Sequence, residues 1–190
     1  SSNYPRATSR TPSPNNPTGN SISLKLVTEL LAAGSIVVID EAYIEFSTHE
    51  SLVQLASATP RLIVLRTFSK WGGLAGLRIG YGVMHPETAQ ICMQAKQPYN
   101  IGIAAEVAAL ASLEDSDSLD EKAAIIVNER DRLAEEFQSL GWINPWQSDA
   151  SFLLCRLDGI SGLELRDRLR TEGIFTRYIG HPRLEDHLRL

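Results

Sequence analysis

Two short apolar runs limit what this chain can fold into. Ile36–Ile39 and Leu62–Leu65 each hold four consecutive apolar residues in which β-branched side chains are frequent, the pattern of a strand covered on both faces. A helical pattern precedes the first run, with Ser23 as its N-cap and Gly34 at its end. This alternation of strand and helix predicts an α/β domain with a largely parallel sheet.

The alternation continues after the second run. Arg78–Val83 predicts a third, glycine-containing strand, and Pro86 suits the first turn of a helix that reaches about Lys96. The longest apolar stretch, Ile101–Leu113, is interrupted by Glu106. It is shorter than the roughly 18 residues that cross a bilayer, so it predicts a buried helix.

The last third of the chain predicts a smaller α/β unit. A long helix begins at a capping box of Ser118 and Glu121 and ends near Gly141. Its apolar stripe consists of Leu119, Ala123, Ile126, Leu133, Phe137 and Leu140. A strand, a helix and another strand follow, at Ser151–Leu157, Ser161–Glu172 and Ile174–Ile179. We therefore expect an irregular segment over 1–20, rich in Ser, Pro, Asn and Thr, a first α/β domain over 21–115, and a small, incomplete C-terminal domain over 116–190.

Composition excludes several classes of function. The chain has 190 residues, is 43% hydrophobic and carries a formal net charge of −5 without a basic cluster, which argues against nucleic acid or a membrane as the partner. No histidine spacing suggests a metal site. Cys92 and Cys155 lie apart among apolar neighbours, as buried free thiols of a reducing compartment do, so a cytoplasmic location is expected.

Five chemically distinct side chains follow the predicted strands. Asp40 and Tyr43 come after the first strand, Ser69 and Lys70 after the second, and Arg78 stands at the start of the third. Ligands of parallel α/β sheets gather at these strand ends. A pyridine ring with an aldehyde and a phosphate would use all five groups. The amine bonds the aldehyde, the carboxylate keeps the ring nitrogen protonated, the phenol meets the ring oxygen, and the hydroxyl and guanidinium bind phosphate.

Four motifs in this order resemble those of the fold-type I aminotransferases that depend on pyridoxal 5'-phosphate (PLP). They are SPNNPTG at 13–19, DEAY at 40–43, TFSK at 67–70 and GLRIGYG at 76–82. The longer stretch LRTFSKWGGLAGLRIGYG and the AKQPYN at 95–100 look most like the histidinol-phosphate aminotransferases. The resemblance implies a fold-type I PLP-transferase-like chain, with a partial large domain that binds the cofactor and a smaller C-terminal domain.

The resemblance also implies a role for each matching residue. Lys70 would hold the cofactor covalently and carry a proton, Asp40 would pair with the pyridinium nitrogen, and Tyr43 would contact the ring oxygen. Ser69 and Arg78 would bind the cofactor phosphate. Taken singly, each has an ordinary alternative: a solvated lysine, an N-cap aspartate, a packed tyrosine, a turn serine or a surface ion pair.

Three further residues match the family near the two ends of the chain. Asn16 would contact the ring oxygen and the substrate, although its motif is also typical of a turn. Arg177 and Arg189 fall where the family places arginines that receive the substrate phosphate, and the alternative is an exposed charge at each. The implied reaction is the transamination between histidinol phosphate and 2-oxoglutarate or glutamate in histidine biosynthesis, in a homodimer.

The chain also departs from the family. Members have a large additional part before SPNNPTG, led by an apolar strand where this chain has the polar SSNYPRATSRT. We therefore expect a fragment with little or no activity of its own. Three alternatives stay open: an aromatic aminotransferase, an enzyme like threonine-phosphate decarboxylase, and a non-catalytic truncated module. A plastid location is the alternative to the cytoplasm.

Overall fold

The computed structural model describes residues 7–99 and 101–190. Helices alternate with strands through most of this range. The helices are α1 (Leu24–Ala32), α2 (Val53–Ala58), α3 (Pro86–Ala95), α4 (Ile103–Glu114), α5 (Ser116–Ser139) and α6 (Gly162–Thr171). The strands are β1 (Thr8–Pro12), β2 (Ile36–Asp40), β3 (Leu62–Thr67), β4 (Gly80–Met84), β5 (Ile143–Pro145), β6 (Leu154–Leu157) and β7 (His187–Arg189).

The first sheet is mixed and mainly parallel, in the order β1-β2-β3-β4. β1 and β3 run parallel to β2, whereas β4 runs antiparallel to β3. Its core consists of residues from α1, β2, α2 and β3, namely Val27, Val37, Ile39, Ala56, Leu62 and Val64. The α/β fold class is therefore confirmed. The third predicted strand starts later than expected, at Gly80, because Arg78 adopts a left-handed backbone with φ of +54° and cannot continue a strand.

The prediction of an irregular segment over 1–20 is wrong at Thr8–Pro12. These residues pair with β2 in parallel register, from Thr8 beside Ile36 to Pro12 beside Asp40. β1 is an edge strand whose side chains alternate between exposed and half-buried, so backbone hydrogen bonds hold it without an apolar run. It delivers the SPNNPTG loop to the carboxyl edge of the sheet, where the Ser13 amide donates to the Asp40 carbonyl at 2.9 Å. Residues 1–6 lie outside the described range.

The second sheet is antiparallel, in the order β5-β6-β7. Ser161 caps α6 as predicted, by accepting a hydrogen bond from the Glu164 amide at 3.1 Å. The core of this sheet packs against α5 and α6 and includes Leu153, Cys155, Leu157 and Leu188. The predicted strand Ile174–Ile179 is wrong: within it only Arg177 forms a bridge in the described structure, to Arg189. Ile174 and Phe175 are exposed, and the Ile174 amide donates to the Leu169 carbonyl at the end of α6 at 2.9 Å instead of to a neighbouring strand.

The long helix α5 differs from its predicted pattern in two respects. It starts at Ser116 after Asp115, upstream of the predicted capping box. Of the predicted stripe, Ala123 is buried and Leu133 and Phe137 pack against the core of the second sheet, whereas Ile126 and Leu140 are 41% and 54% exposed. The other buried position of the helix is Arg130. The apolar pattern therefore predicts the packed face at Ala123, Leu133 and Phe137, but it is wrong at Ile126 and Leu140. The division of the chain into domains at 115/116 stays a prediction.

The helix predicted at Ile101–Leu113 forms as α4, but the prediction that it is buried is wrong. Only its small residues Ala105 and Ala109 are buried. Its large apolar residues Ile103, Val107, Leu110 and Leu113 are all more than half exposed. An apolar face of this size on a water-facing helix is typical of a surface that packs against further polypeptide. Among the helices of the described residues, none is both long and apolar enough to cross a membrane.

The two cysteines differ in environment. Cys155 is fully buried as predicted, whereas Cys92 is exposed, which corrects the expectation for that residue. Burial raises the pKa of the Cys155 thiol to about 12, so at neutral pH it stays protonated and unreactive.

We therefore expect unequal labelling of the two thiols. Iodoacetamide at pH 8 should modify Cys92 within minutes, while Cys155 should react only after urea unfolds the chain. Because thiolate forms only as pH rises through the pKa, the raised pKa of Cys155 should keep its labelling slow between pH 7 and pH 9. Peptide mass spectrometry measures both sites. Equal rates in the native chain would contradict the packing described for β6.

Candidate active site

Asp40 ends β2 at the carboxyl edge of the first sheet. Its carboxylate is 31% exposed and accepts a hydrogen bond from Arg10 of β1 at 3.5 Å. The next residue, Glu41, is 2% exposed. Its carboxylate accepts hydrogen bonds from the Ser51 hydroxyl at 2.6 Å and the Leu52 amide at 2.7 Å. Asp40 is thus accessible to a ligand, while Glu41 ties the backbone after it to the start of α2.

Arg66 of β3 extends this buried network. Its guanidinium donates to Glu45 at 2.7 Å and to Glu41 at 3.4 Å. Burial lowers the pKa of this guanidinium, but the hydrogen bond to Glu45 and the charge of that carboxylate raise it by more, so the net pKa is above its ordinary value. Arg66 therefore stays charged and fastens the segment after Asp40 to β3. The interpretation of Glu41 as a structural residue agrees with these contacts.

Lys70 and Tyr43 meet although they follow different strands. Tyr43 is buried, and the Lys70 amine lies 5.2 Å from the centroid of its ring. Lys70 itself is exposed, in a tight turn in which its carbonyl accepts from the Gly73 amide at 3.1 Å. The structure thus brings together the amine and the phenol that the sequence predicts in one site.

The two predicted phosphate ligands have different hydrogen-bond partners in this structure. The Ser69 hydroxyl lies 2.9 Å from the Thr67 hydroxyl, and the Ser69 amide donates to that same oxygen at 3.0 Å. Arg78 is exposed, and its guanidinium donates to the Ala75 carbonyl at 2.9 Å. Ser69 is therefore held by β3, whereas Arg78 is bonded to its own turn.

Asn16 and Arg189 are in contact although they lie near opposite ends of the sequence. The Arg189 guanidinium donates to the Asn16 side-chain oxygen at 2.6 Å. Arg177 is exposed and joins Arg189 through two backbone hydrogen bonds of 2.9 Å, not through its side chain. The structure therefore places all three residues predicted to bind substrate at one end of the second sheet.

The SPNNPTG loop is seated on the segment between β5 and β6. The Gly19 carbonyl accepts from the Asp149 amide at 2.8 Å. Gly19 has φ of +76°, and a Cβ at this position would collide with the Ser148 side chain. Only glycine allows both this backbone and this close approach. The loop thus connects the carboxyl edge of the first sheet to the second sheet.

Sequence reasoning missed two residues at this junction. The Phe152 ring lies edge-on to Tyr43, with centroids 5.3 Å apart, and the Arg189 guanidinium lies 4.9 Å from its centroid. Arg130 is buried in α5 and donates to the carbonyls of Phe46 at 3.1 Å and Ala150 at 2.9 Å. Arg130 is seven residues, about two helical turns, from buried Ala123, a spacing that could have revealed it. Phe152 stands in an apolar run where nothing separates it from ordinary core.

Known proteins resemble this chain over nearly all of its length. The profile of the family described as aminotransferase class I and II matches residues 10–190. A protein of Roseiflexus castenholzii named histidinol-phosphate aminotransferase is 46% identical over 180 residues, which cover 93% of this chain and 48% of the relative. The chain thus spans about half the length of the curated relatives it matches.

Solved structures resemble the fold. The crystal structure of a histidinol-phosphate aminotransferase from Sinorhizobium meliloti, in complex with pyridoxal-5'-phosphate, superimposes with a TM-score of 0.82 at 31% identity, covering 96% of this chain and 51% of that one. An L-threonine-O-3-phosphate decarboxylase from Porphyromonas gingivalis gives 0.84 at 22% identity, over 96% of this chain and 58% of that one, and so resembles it in fold alone. Because the family profile spans residues 10–190, which include the Lys70, Asp40 and Asn16 segments, the chain belongs to the aminotransferase class I and II family.

Proposed function

We propose that this chain provides the catalytic lysine and much of the PLP site of an aminotransferase acting on histidinol phosphate and 2-oxoglutarate. The observation that carries this proposal is the Lys70 amine above the buried Tyr43 ring, in a chain 46% identical to a protein named histidinol-phosphate aminotransferase. Fold-type I neighbours and the family match support PLP as the cofactor.

The chemistry of the side chains fits PLP. Four suitable groups lie at the ends of β2 and β3: the exposed amine of Lys70, the accessible carboxylate of Asp40, the phenol of Tyr43 and the hydroxyl of Ser69, which is bonded to β3. Arg78 can add its guanidinium after releasing the Ala75 carbonyl, an exposed bond that water can replace. When bound, PLP supplies an electron sink that stabilises negative charge on the substrate carbon.

The chain's own groups then hold and move protons. The Lys70 amine binds the cofactor and transfers a proton at the substrate carbon, a role for which its exposure gives it access. Asp40 holds the proton on the ring nitrogen by its negative charge, and Tyr43 donates its hydroxyl towards the ring oxygen. The Arg10 guanidinium lies 3.5 Å from the Asp40 carboxylate, and the Arg10 side chain is 70% exposed. Arg10 therefore competes only weakly with the ring nitrogen for this carboxylate.

Substrate recognition depends on the two arginines near the end of the second sheet. Arg189 offers the guanidinium donors not used by Asn16, and Arg177 adds a second positive charge on the neighbouring backbone. Guanidinium groups match the geometry of phosphate and carboxylate. Both substrates carry such anions, since histidinol phosphate presents a phosphate and 2-oxoglutarate presents carboxylates. Two guanidinium groups together suit a substrate that carries a phosphate, as histidinol phosphate does and an aromatic amino acid does not, which favours the histidinol-phosphate reaction over an aromatic aminotransferase.

The chain by itself is expected to have little or no activity, because its relatives are about twice its length. The test is therefore co-expression with the amino-terminal half of the Roseiflexus castenholzii relative. The exposed face of α4 offers that half a surface to pack on, as do the outer edges of β1 and β4, which pair with no further strand among the described residues.

The two co-expressed chains are purified together and assayed for glutamate formed from 2-oxoglutarate, with either histidinol phosphate or phenylalanine as the amino donor. A separate assay measures CO2 released from O-phosphothreonine. The proposal expects glutamate formation that depends on histidinol phosphate and on PLP. Preference for phenylalanine would support the aromatic alternative, and CO2 release would support the decarboxylase. A pair that forms and binds PLP yet turns over none of these substrates would contradict the proposed function.

The homodimer and the cytoplasmic location belong to the same proposal. The α4 face described above supports association with further polypeptide, and sedimentation of the purified pair tests whether two copies assemble.

A further inference from the structure

We propose that Phe152 is a positioning residue that aims the Arg189 guanidinium at the anionic group of a substrate. The inference deepens the proposed function and rests on it in one respect, that Arg189 receives an anion. What it adds is a residue outside every motif of the site and the physical means by which it acts.

Phe152 links the two halves of the site in one chain of contacts. Its ring meets Tyr43 edge-on, at an interplanar angle of 89° and 5.3 Å between centroids. Tyr43 in turn lies under the Lys70 amine at 5.2 Å. Phe152 also faces the Arg189 guanidinium at 4.9 Å, and that guanidinium donates to Asn16. The Tyr43 and Phe152 rings therefore connect the Lys70 amine to the anion-binding arginine.

The Phe152 ring is itself fixed. Its side chain is only 9% exposed, and its carbonyl accepts from the Ser148 hydroxyl at 2.7 Å. Two residues earlier, the Ala150 carbonyl accepts from buried Arg130. The edge-on contact with Tyr43 adds a preferred aromatic geometry. A buried ring fixed by backbone hydrogen bonds and by a perpendicular aromatic neighbour provides a rigid support for a long, flexible arginine.

Arg189 needs such a support. No carboxylate among residues 7–99 and 101–190 forms an ion pair with its guanidinium, whose described partners are the neutral Asn16 amide and the ring. A guanidinium has five N–H donors, so one bond to Asn16 leaves donors for a ligand. The aromatic face attracts the cation without neutralising it. Phe152 thus orients the charge and leaves it available to an incoming anion.

The test observes Arg189 directly in the 190-residue chain by proton–nitrogen NMR of arginine side chains. The Arg189 signal is assigned by its loss in Arg189→Lys. In the native chain we expect this signal to be displaced by the ring current of Phe152 and to move on addition of inorganic phosphate. A signal at the position of a free arginine, or one that phosphate does not move, would overturn the proposal.

Variants separate orientation from packing. Phe152→Leu keeps apolar bulk without the ring, and it should remove the displacement and weaken phosphate binding by about two- to thirtyfold, the range of a cation–π contact. Phe152→Tyr keeps the ring and should bind within about twofold of the native chain. Phe137→Leu is the matched control, because Phe137 packs in the core between α5 and the second sheet. The native-chain signal tests the contact even where a variant fails to fold.

Three results would contradict the inference. They are an unchanged phosphate affinity in Phe152→Leu, an equal loss of phosphate affinity in Phe137→Leu, and a folded Phe152→Tyr variant that no longer binds phosphate. Failure of the proposed function is read separately, from PLP attachment at Lys70, which Phe152→Leu should leave in place. If PLP does not attach to Lys70 in the native chain, but Phe152→Leu still weakens phosphate binding, the proposed function is overturned and the role of Phe152 stands.

Discussion

Lys70→Ala is expected to reduce transamination by the co-expressed pair at least about 10³-fold, because it removes both the covalent anchor of the cofactor and the group that transfers the proton. Proton transfer by a positioned side chain alone contributes about 10² to 10⁴ in rate. The change removes only methylene groups and an exposed amine, so the fold should persist. Initial rates of glutamate formation at saturating PLP measure the effect.

Lys25→Ala is the matched control for this experiment. Lys25 is an exposed lysine on α1 that pairs with Glu29 at 3.9 Å, and its loss should leave the rate unchanged. A Lys70→Ala pair that keeps more than about a tenth of the native rate would contradict the role given to this amine.

Arg130→Met is expected to lower the free energy of unfolding of the chain by about 2–5 kcal/mol. The variant fills most of the volume, but it leaves the carbonyls of Phe46 and Ala150 without their donor. Each buried polar group without a partner costs about 1–3 kcal/mol. A loss of this size is a large part of the stability of an ordinary domain. Urea denaturation followed by circular dichroism measures it.

Arg132→Met supplies the comparison two residues along the same helix. Arg132 is exposed and pairs with Glu129 and Glu136 of α5, so its replacement should change stability far less than that of Arg130. Equal effects of the two variants would mean that helix propensity or net charge, and not the bridge between Phe46 and Ala150, stabilises this region.

Two pairs of predicted residues meet: Lys70 with Tyr43, which follow buried strands, and Asn16 with Arg189, which do not. Asp40 and Lys70 could be placed near one another because the runs before them are apolar enough to identify neighbouring parallel strands, whose ends share one edge. The pairing of β1 could not be predicted, since an edge strand is held by backbone bonds and Thr8–Pro12 carries no apolar signal.

The sequence also failed to predict the exposure of α4 and the contacts of Phe152 and Arg130, for a different reason. Sequence apolarity predicted a buried α4, but burial depends on what packs against a helix, and in this chain its large residues face outward. Phe152 and Arg130 act through contacts with residues more than eighty positions away, such as Tyr43 and Phe46. A single sequence does not contain such pairings, because they arise only when the second sheet packs against the first.

The central claim is that this chain's own residues organise the cofactor around Lys70. The most direct measurement is to mix the purified 190-residue chain with PLP, reduce with borohydride, and locate the pyridoxyl group by peptide mass spectrometry. The chain has four lysines, Lys25, Lys70, Lys96 and Lys122, so each site is read separately. We expect the label at Lys70 and its disappearance in Lys70→Ala. Labelling spread evenly over the four lysines, or unaffected by that substitution, would contradict the claim.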